Sequence, residues 1–489
     1  MFGLFSGQRK APQRVSTDRV VPVGFFDDTV IFRTFVLYTL FVFDDVLDAA
    51  KLRGSLESVV SRPGWDKLGA RLRRNDRGEL EHHIPQKFSR DRPAIGYDHV
   101  DLNDVAIEDH PSASRIPRPP SDGRPAVVGD PNELDDLIHG PRIPKGLDDY
   151  LYEDQPELGL RIVSFKNSTV VVLHWIHLAI DAVGMRSLMQ AWMLALQGRH
   201  EAIPKPLAAE QYALEDVGKA PKETHVLADR LLSMPGLISW VVRNAYGLAF
   251  CKKEHRMVCM PAAYLEKLRE KALVELAAAA EAASEGRKDS PFVSDGDVLV
   301  AWAARLSMSN LPKDSERLVA IQQAYQWRPV LKDLIPPERP FLSNCVGFLV
   351  TLIPAKDLLQ KPLSYAASQV RRSVKEQGSR EQVEAYAELI RRDPGNRAPP
   401  FLGASSMQLI GFSNWQQGNV YGLDLSSAAV GPRDAPLMPS YVQNVQGPYN
   451  FTDGIIIVGK DAGGNYWMSG YRVQGLWELM EREMAKEEI

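Results

Sequence analysis

The segment VVVLHWIHLAIDAVGM, Val170 to Met185, carries two histidines and an aspartate where an apolar run ends: His174, His177 and Asp181. Three kinds of chemistry suit those side chains. Imidazole nitrogens and a carboxylate are zinc ligands. A single neutral imidazole near an incoming hydroxyl or amine is a general base, a role that contributes about 10²–10⁴-fold. An aspartate just ahead of a helix is an N-cap, worth about 1 kcal/mol. An i, i+3 histidine pair suits one face of a helix, whereas this segment is extended up to Ile176, and no Cys-x-x-Cys or Cys/His cluster elsewhere adds ligands, so no metal centre is expected. His177 stands past the end of the strand, four residues before an acid, and is the candidate base. Asp181 is placed to hold the local backbone, and His174 falls within the strand alternation as a core histidine.

The flanking elements explain why the polar residues meet there. Ser168 to Ile176 is β-branched or bulky and uncharged, the pattern of a strand buried on both faces. Beyond Asp181, Met185, Leu188, Trp192 and Leu196 recur at helical spacing, with Gly198 as the C-terminal stop. The three residues therefore sit at a strand-to-helix junction, where mixed folds often place functional groups.

Elsewhere, Phe35 to Phe43 (FVLYTLFVF) reads as a buried strand, far short of the roughly 20 apolar residues a spanning helix needs. Residues 103–147, crowded with Pro, Gly and Asp, read as a long surface connection, and 199–225 as a polar crossover. The stretch 261–288 is helical by period, Val298–Leu306 and Ser364–Glu376 carry further helices, and GIIIVGKDAGGNYWMSGYRV reads as a hairpin. The expected fold is α/β (α+β) in two domains: 1–210, a crossover over 211–260, and 261–489.

Bulk composition narrows the function classes. The 489 residues are 44% hydrophobic and 25% charged, with a formal net charge of -4. Nothing in that balance suits a phosphate-backbone partner, so nucleic-acid binding is not expected. Cys251, Cys259 and Cys345 are too few and too scattered for a disulfide framework, and the N-terminus MFGLFSGQRK lacks the order of a signal peptide. A protein of the cytoplasm, without a membrane span, is expected.

The motif His177-Leu-Ala-Ile-Asp181-Ala-Val-Gly184 resembles the His-x-x-x-Asp signature of the BAHD-type acyl-CoA-dependent acyltransferases, most closely the fungal branch that includes the trichothecene O-acetyltransferases. Other segments are similar in order: VSDGDVLVAWAARL with Ser294 and Asp297, QWRPVL with Arg328, and SNCVGFLV with Asn344. In FSNWQQGNVYGLDLSSAAVGP, Trp415, Tyr421 and Asp424 match the neighbourhood of the family's Asp-Phe-Gly-Trp-Gly loop, but Leu425, Ser426, Ser427 and Ala428 replace the Phe-Gly-Trp-Gly. The resemblance spans roughly Arg19 to Trp477.

It implies two chloramphenicol-acetyltransferase-like domains of mixed sheets flanked by helices, with a channel between them, and a monomeric enzyme. Acyl-CoA, acetyl-CoA by default, would be a co-substrate and not a resident cofactor, and the acceptor a small hydrophobic alcohol or amine. The catalytic pair would be His177 and Asp181, with Ser294, Asp297 and Asn344 toward the co-substrate and with Asp424 and Trp415 in a structural loop. CoA phosphates call for basic residues at one mouth, for which the chain offers Arg371, Arg372 and Lys375, or Lys252 and Lys253. Two alternatives stand beside this reading. A condensation-type enzyme would use a carrier-bound donor, although Ile176 and Ala182 replace the first of that group's two adjacent histidines and its glycine. A small-molecule-binding homologue would have lost turnover.

Overall fold

A computed structural model describes residues 9–282, 291–447 and 453–487. The first eight residues of the N-terminal stretch and residues 283–288 of the expected long helix lie outside them.

The apolar runs dictate the first sheet. Val36–Phe43 and Thr169–Ile176 pair antiparallel, Val36 opposite Ile176 and Phe43 opposite Thr169. Every residue of both strands is buried, which uninterrupted apolar runs require and alternating ones do not. Leu158–Phe165 and then Gly96–Leu102 extend the sheet on one side, and Tyr441–Gly447 closes the other. The helix Ala182–Leu196 returns along this sheet and packs on the helix Ala49–Val60, where the buried Trp192 indole donates to Leu52 O at 3.2 Å and Ser55 Oγ at 2.9 Å. Gly198, at φ +71°, ends that helix as expected, its N–H bonding Ala195 O at 3.0 Å.

The second sheet has seven strands, in the order Val346–Pro354, Leu318–Gln326, Gln408–Asn414, Gly454–Lys460, Tyr466–Val473, Lys253–Met260 and Ala126–Gly129. Gly454–Lys460 and Tyr466–Val473 form the expected hairpin around Asp461–Asn465, with a bulge between Ile457 and Gly459. Helices Ala262–Ala282, Asp295–Ser307 and Leu363–Gln377 pack together and share an apolar core with this sheet. A small three-stranded sheet, Arg19–Pro22, Leu80–Ile84 and Arg71–Arg74, completes the mixed α/β architecture.

Each large sheet takes an edge strand from the other half of the chain: Tyr441–Gly447 in the first, Ala126–Gly129 in the second. Residues 103–147 are therefore not only a surface connection, because they contribute that strand and several short helices. A four-residue strand between proline-rich turns is too short to show a period. The stretch 211–260 likewise holds the helix Met234–Ala249 and the strand Lys253–Met260.

Candidate active site

The chain turns sharply after Ile176. Ala179 N–H bonds Ile176 O at 3.0 Å, His177 N–H bonds Phe35 O at 2.9 Å, and the Trp175 indole donates to Ile180 O at 3.1 Å. The His177 ring stacks on Phe32, centroids 4.2 Å apart and planes 19° off parallel. Burial pushes its pKa below the ordinary histidine value, although its own carbonyl, the Asp181 charge and the Asn344 side chain favour a protonated ring. The Nδ1 atom is buried and makes no well-formed hydrogen bond. His177 is thus held neutral, the form a base needs.

Asp181 borders the same space, but both its oxygens are occupied. Oδ1 caps the helix, accepting from Val183 N–H at 3.2 Å and Gly184 N–H at 2.9 Å. Oδ2 accepts from Arg328 Nη1 at 2.7 Å and Cys345 N–H at 2.9 Å. Burial works against the charge, and Arg328 with those N–H groups overcomes it, so the carboxyl lies below its usual range. The Arg328 guanidinium also donates to Gln326 Oε1 at 3.0 Å and to Phe341 O and Ser343 O, each at 2.9 Å.

Behind the histidine lies a second network. Asn344 Nδ2 donates to His177 O and to Asp27 Oδ1, both at 2.8 Å, and Asn344 N–H donates to the same Asp27 oxygen at 2.6 Å. Both side-chain partners are acceptors, so the amide orientation is fixed and Oδ1, itself buried without a partner, is turned from them. Burial raises the Asp27 pKa, against the Lys67 charge and the Asn344 bonds. The buried Lys67 ammonium donates to Leu342 O, to Ser343 Oγ at 3.0 Å and to Ala179 O at 3.4 Å. Arg328, Asn344, Cys345 and Lys67 together stitch the 177–181 turn to the 341–345 segment.

A cavity of about 780 Å³ opens in front of His177. Its walls come from both halves of the chain: Phe32, Phe35 and His177 on one side, and Gln322, Phe412 and Tyr471 on the other. Ser294, Asp297, Arg371 and Trp415 border it as well, so these expected residues do converge on one space. Ser294 and Asp297 form a capping box, with Ser294 N–H bonding Asp297 Oδ2 at 2.7 Å and Asp297 N–H bonding Ser294 Oγ at 3.3 Å. Arg371 lies 3.9 Å from Asp297 Oδ2, its guanidinium over Phe292. Arg372 pairs with Glu376, and neither it, Lys375, Lys252 nor Lys253 borders the cavity.

Asn344, Asp424 and His174 also lie off the cavity wall. Asn344 is wholly buried behind His177. Asp424 caps a turn, accepting from Ser426 N–H and Leu437 N–H at 2.9 Å, beside the helix that carries Asp181. His174 is buried against Gly159, with its pKa pushed down to about 3 by desolvation. Among the described residues, no three His, Cys, Asp or Glu side chains converge as a metal-binding set. Asp27, Lys67, Phe32 and Ser413 were not foreseen; Gln322, Gln323 and Gln326 in the strand Leu318–Gln326 are a sequence sign of a polar wall.

No protein-family model matches the chain. A curated relative named transcriptional regulator calD, from Penicillium decumbens, is 37% identical over 504 positions and is covered, like this chain, in full. Acetyltransferase adrJ of Penicillium rubens is 32% identical over 501 positions, with 99% of each chain covered. The structure of F. graminearum TRI101 complexed with Coenzyme A and T-2 mycotoxin superposes with a TM-score of 0.67 at 14% identity, covering 96% of this chain and 98% of the other. The fold, the His-x-x-x-Asp turn and full-length identity to fungal acetyltransferases lead to one assignment: the chain belongs to the fungal branch of the BAHD-type acyl-CoA-dependent acyltransferases.

Proposed function

We propose that the protein transfers an acyl group, acetyl in the simplest case, from acyl-CoA to a hydroxyl or amine of a small lipophilic natural product, with His177 as general base. The observation that carries this reading is a neutral, desolvated imidazole at the wall of a large, mostly apolar cavity. His177 Nε2 takes the acceptor proton as the acceptor oxygen or nitrogen bonds to the thioester carbonyl carbon. The tetrahedral intermediate then expels the CoA thiolate as the C–S bond breaks, and the proton passes to sulfur. No acyl-enzyme is needed, because both substrates meet in one cavity.

Asp181 acts as a positioning residue, since neither of its oxygens is free to take a proton. Asn344 holds the His177 carbonyl, and a proton on Nδ1 is favoured by the residue's own carbonyl and by the Asn344 side chain, leaving Nε2 basic. The developing oxyanion needs a donor. The Trp415 indole is occupied, donating to Ser413 Oγ at 3.0 Å, and Asn344 lies off the cavity. Ser413 therefore accepts from the indole and keeps its own O–H for the cavity, which makes it the candidate donor. Arg371, with Ser294 and Asp297 beside it, is the candidate contact to CoA. A monomer working in the cytoplasm belongs to the same proposal; among the described residues no helix is long and apolar enough to cross a membrane.

The name of calD favours a second, regulatory reading, in which the cavity binds a metabolite without turnover. One assay separates the two. With acetyl-CoA and a panel of small lipophilic alcohols and amines, acceptor-dependent release of free thiol supports acyl transfer. Ligand binding with no thiol release supports the regulatory reading, and reaction with carrier-bound acyl groups alone supports a condensation-type donor.

A further inference from the structure

The helix Met234–Ala249 is built unlike the other long helices. Of its described side chains only Trp240 is buried. Met234, Ile238, Val241, Val242 and Tyr246, continued by Phe250, are 45–78% exposed. Steps of three and four residues place them on one stripe, about 24 Å long at 1.5 Å per residue. Apolar side chains scattered singly over a surface need no explanation, but a continuous stripe of this length does.

The opposite face anchors the helix to the cavity. Trp240 lines the cavity, donates to Met407 O at 3.2 Å and packs on Phe401 with ring centroids 5.1 Å apart. Ahead of the helix, Leu232 N–H bonds Phe401 O and Gly403 N–H bonds Arg230 O. Phe401, Leu402 and Met407 line the cavity too, so the exposed stripe and the cavity wall are two faces of one structure.

From this we infer that the Met234–Phe250 stripe docks on an anionic lipid surface and brings the adjoining cavity wall against the bilayer. Charge selects that occupant. No acidic residue lies between Ser233 and Cys251, while Arg243 is exposed on the helix and Lys252 just past its C-terminal end; Arg230, ahead of the helix, is paired with Asp229. A basic amphipathic helix lying in the interface plane gains from apolar burial and from anionic headgroups together. A second copy of this chain would instead set Arg243, near the middle of the helix, close to its own mate across a two-fold axis. Delivery of a lipophilic acceptor from the bilayer to the cavity rests on the function proposed above; the docking itself does not.

The test is cosedimentation of the full chain with mixed phosphatidylcholine and phosphatidylserine vesicles, for wild type and for Val242→Glu/Tyr246→Glu. Neither residue touches the cavity, so melting temperature and thiol release with a water-soluble acceptor stay at wild-type level. The wild type is expected to bind, and to bind several-fold less to pure phosphatidylcholine or at high salt. The double variant is expected to partition on the order of tenfold less. A wild type that stays in the supernatant overturns the inference. So does a wild type that light scattering shows to be a dimer, made monomeric by the double variant, with no vesicle binding. Absence of thiol release together with vesicle binding removes only the catalytic reading.

Discussion

Replacing Asp181 by asparagine separates the two jobs of that side chain. Asparagine keeps an oxygen for Val183 and Gly184 N–H, so the cap, about 1 kcal/mol, survives. What disappears is the charge 2.7 Å from Arg328, in a pair whose side chains are only 13% and 7% exposed. Removing one partner of a buried pair costs about 3–5 kcal/mol. Arg328 retains the carbonyls of Phe341 and Ser343 and the Gln326 side-chain oxygen, but the asparagine Nδ2 would face the Arg328 and Cys345 donors, which places Asp181→Asn within that range at about 4 kcal/mol. Arg328→Met should cost a similar amount, because the carboxylate keeps Gly184 and Cys345 N–H but loses its counter-charge. The double variant leaves no uncompensated charge, so the two costs should fall short of additivity by about 2 kcal/mol. Urea unfolding at neutral pH measures all four corners of the cycle. The sign is safe there: a carboxyl held below its usual pKa stabilises the fold at and above that value and loses the contribution only as pH falls through the folded one. Additivity within about 0.5 kcal/mol, or a cost below about 1 kcal/mol for either single variant, would refute the claim that this pair locks the turn. Activity adds a second readout, since a shift of His177 by about 1 Å would lower kcat about 10²-fold with little change in acyl-CoA affinity.

Three further outcomes follow from particular contacts. Gly159→Ala would set a Cβ 2.1 Å from the His174 ring in the middle of the first sheet, so it should cost several kcal/mol, about 3 or more, or abolish soluble expression, as thermal unfolding would show. Burial pushes the pKa of His255 to about 3, so the unfolded chain binds the extra proton between that value and about 6.5, and stability falls as pH drops through this window. His255 stacks on Tyr471, its centroid 3.9 Å away, and neither ring nitrogen has a partner, so His255→Phe should lessen the stability loss between pH 7 and pH 5 by about 2 kcal/mol. Ser413→Ala should lower kcat by about 10²-fold or more with the KM for acyl-CoA nearly unchanged, while Ser413→Thr, which keeps the hydroxyl, should retain most activity.

Much of the site was legible because its signals are local. The uninterrupted apolar runs gave the Val36–Phe43 and Thr169–Ile176 strands, and the helical period past Asp181 gave the cap that the carboxylate makes. The mixed fold and the family followed from the order of motifs. What stayed hidden depends on long-range contact. Asp27 lies 317 positions from Asn344, and Lys67 lies 275 from Leu342, so nothing near either residue announces a network behind His177. Asn344 was expected to face the co-substrate, but its amide is consumed by Asp27 and the His177 carbonyl, which draws it off the cavity wall. Ala126–Gly129 was missed because a short edge strand borrows its identity from a partner in the other half of the chain. The Met234–Ala249 helix sits in a stretch read as crossover, since its apolar residues mark an outer face and not a core.

The central claim is that His177 takes the acceptor proton. The most direct measurement is acceptor-dependent thiol release from acetyl-CoA, followed across pH for wild type and His177→Ala. The variant should lose about 10²–10⁴-fold in kcat. The wild-type rise in kcat/KM should be centred below pH 6.5, because burial lowers the imidazole pKa and keeps the base neutral further into acid. Thiol release that survives His177→Ala undiminished would contradict it.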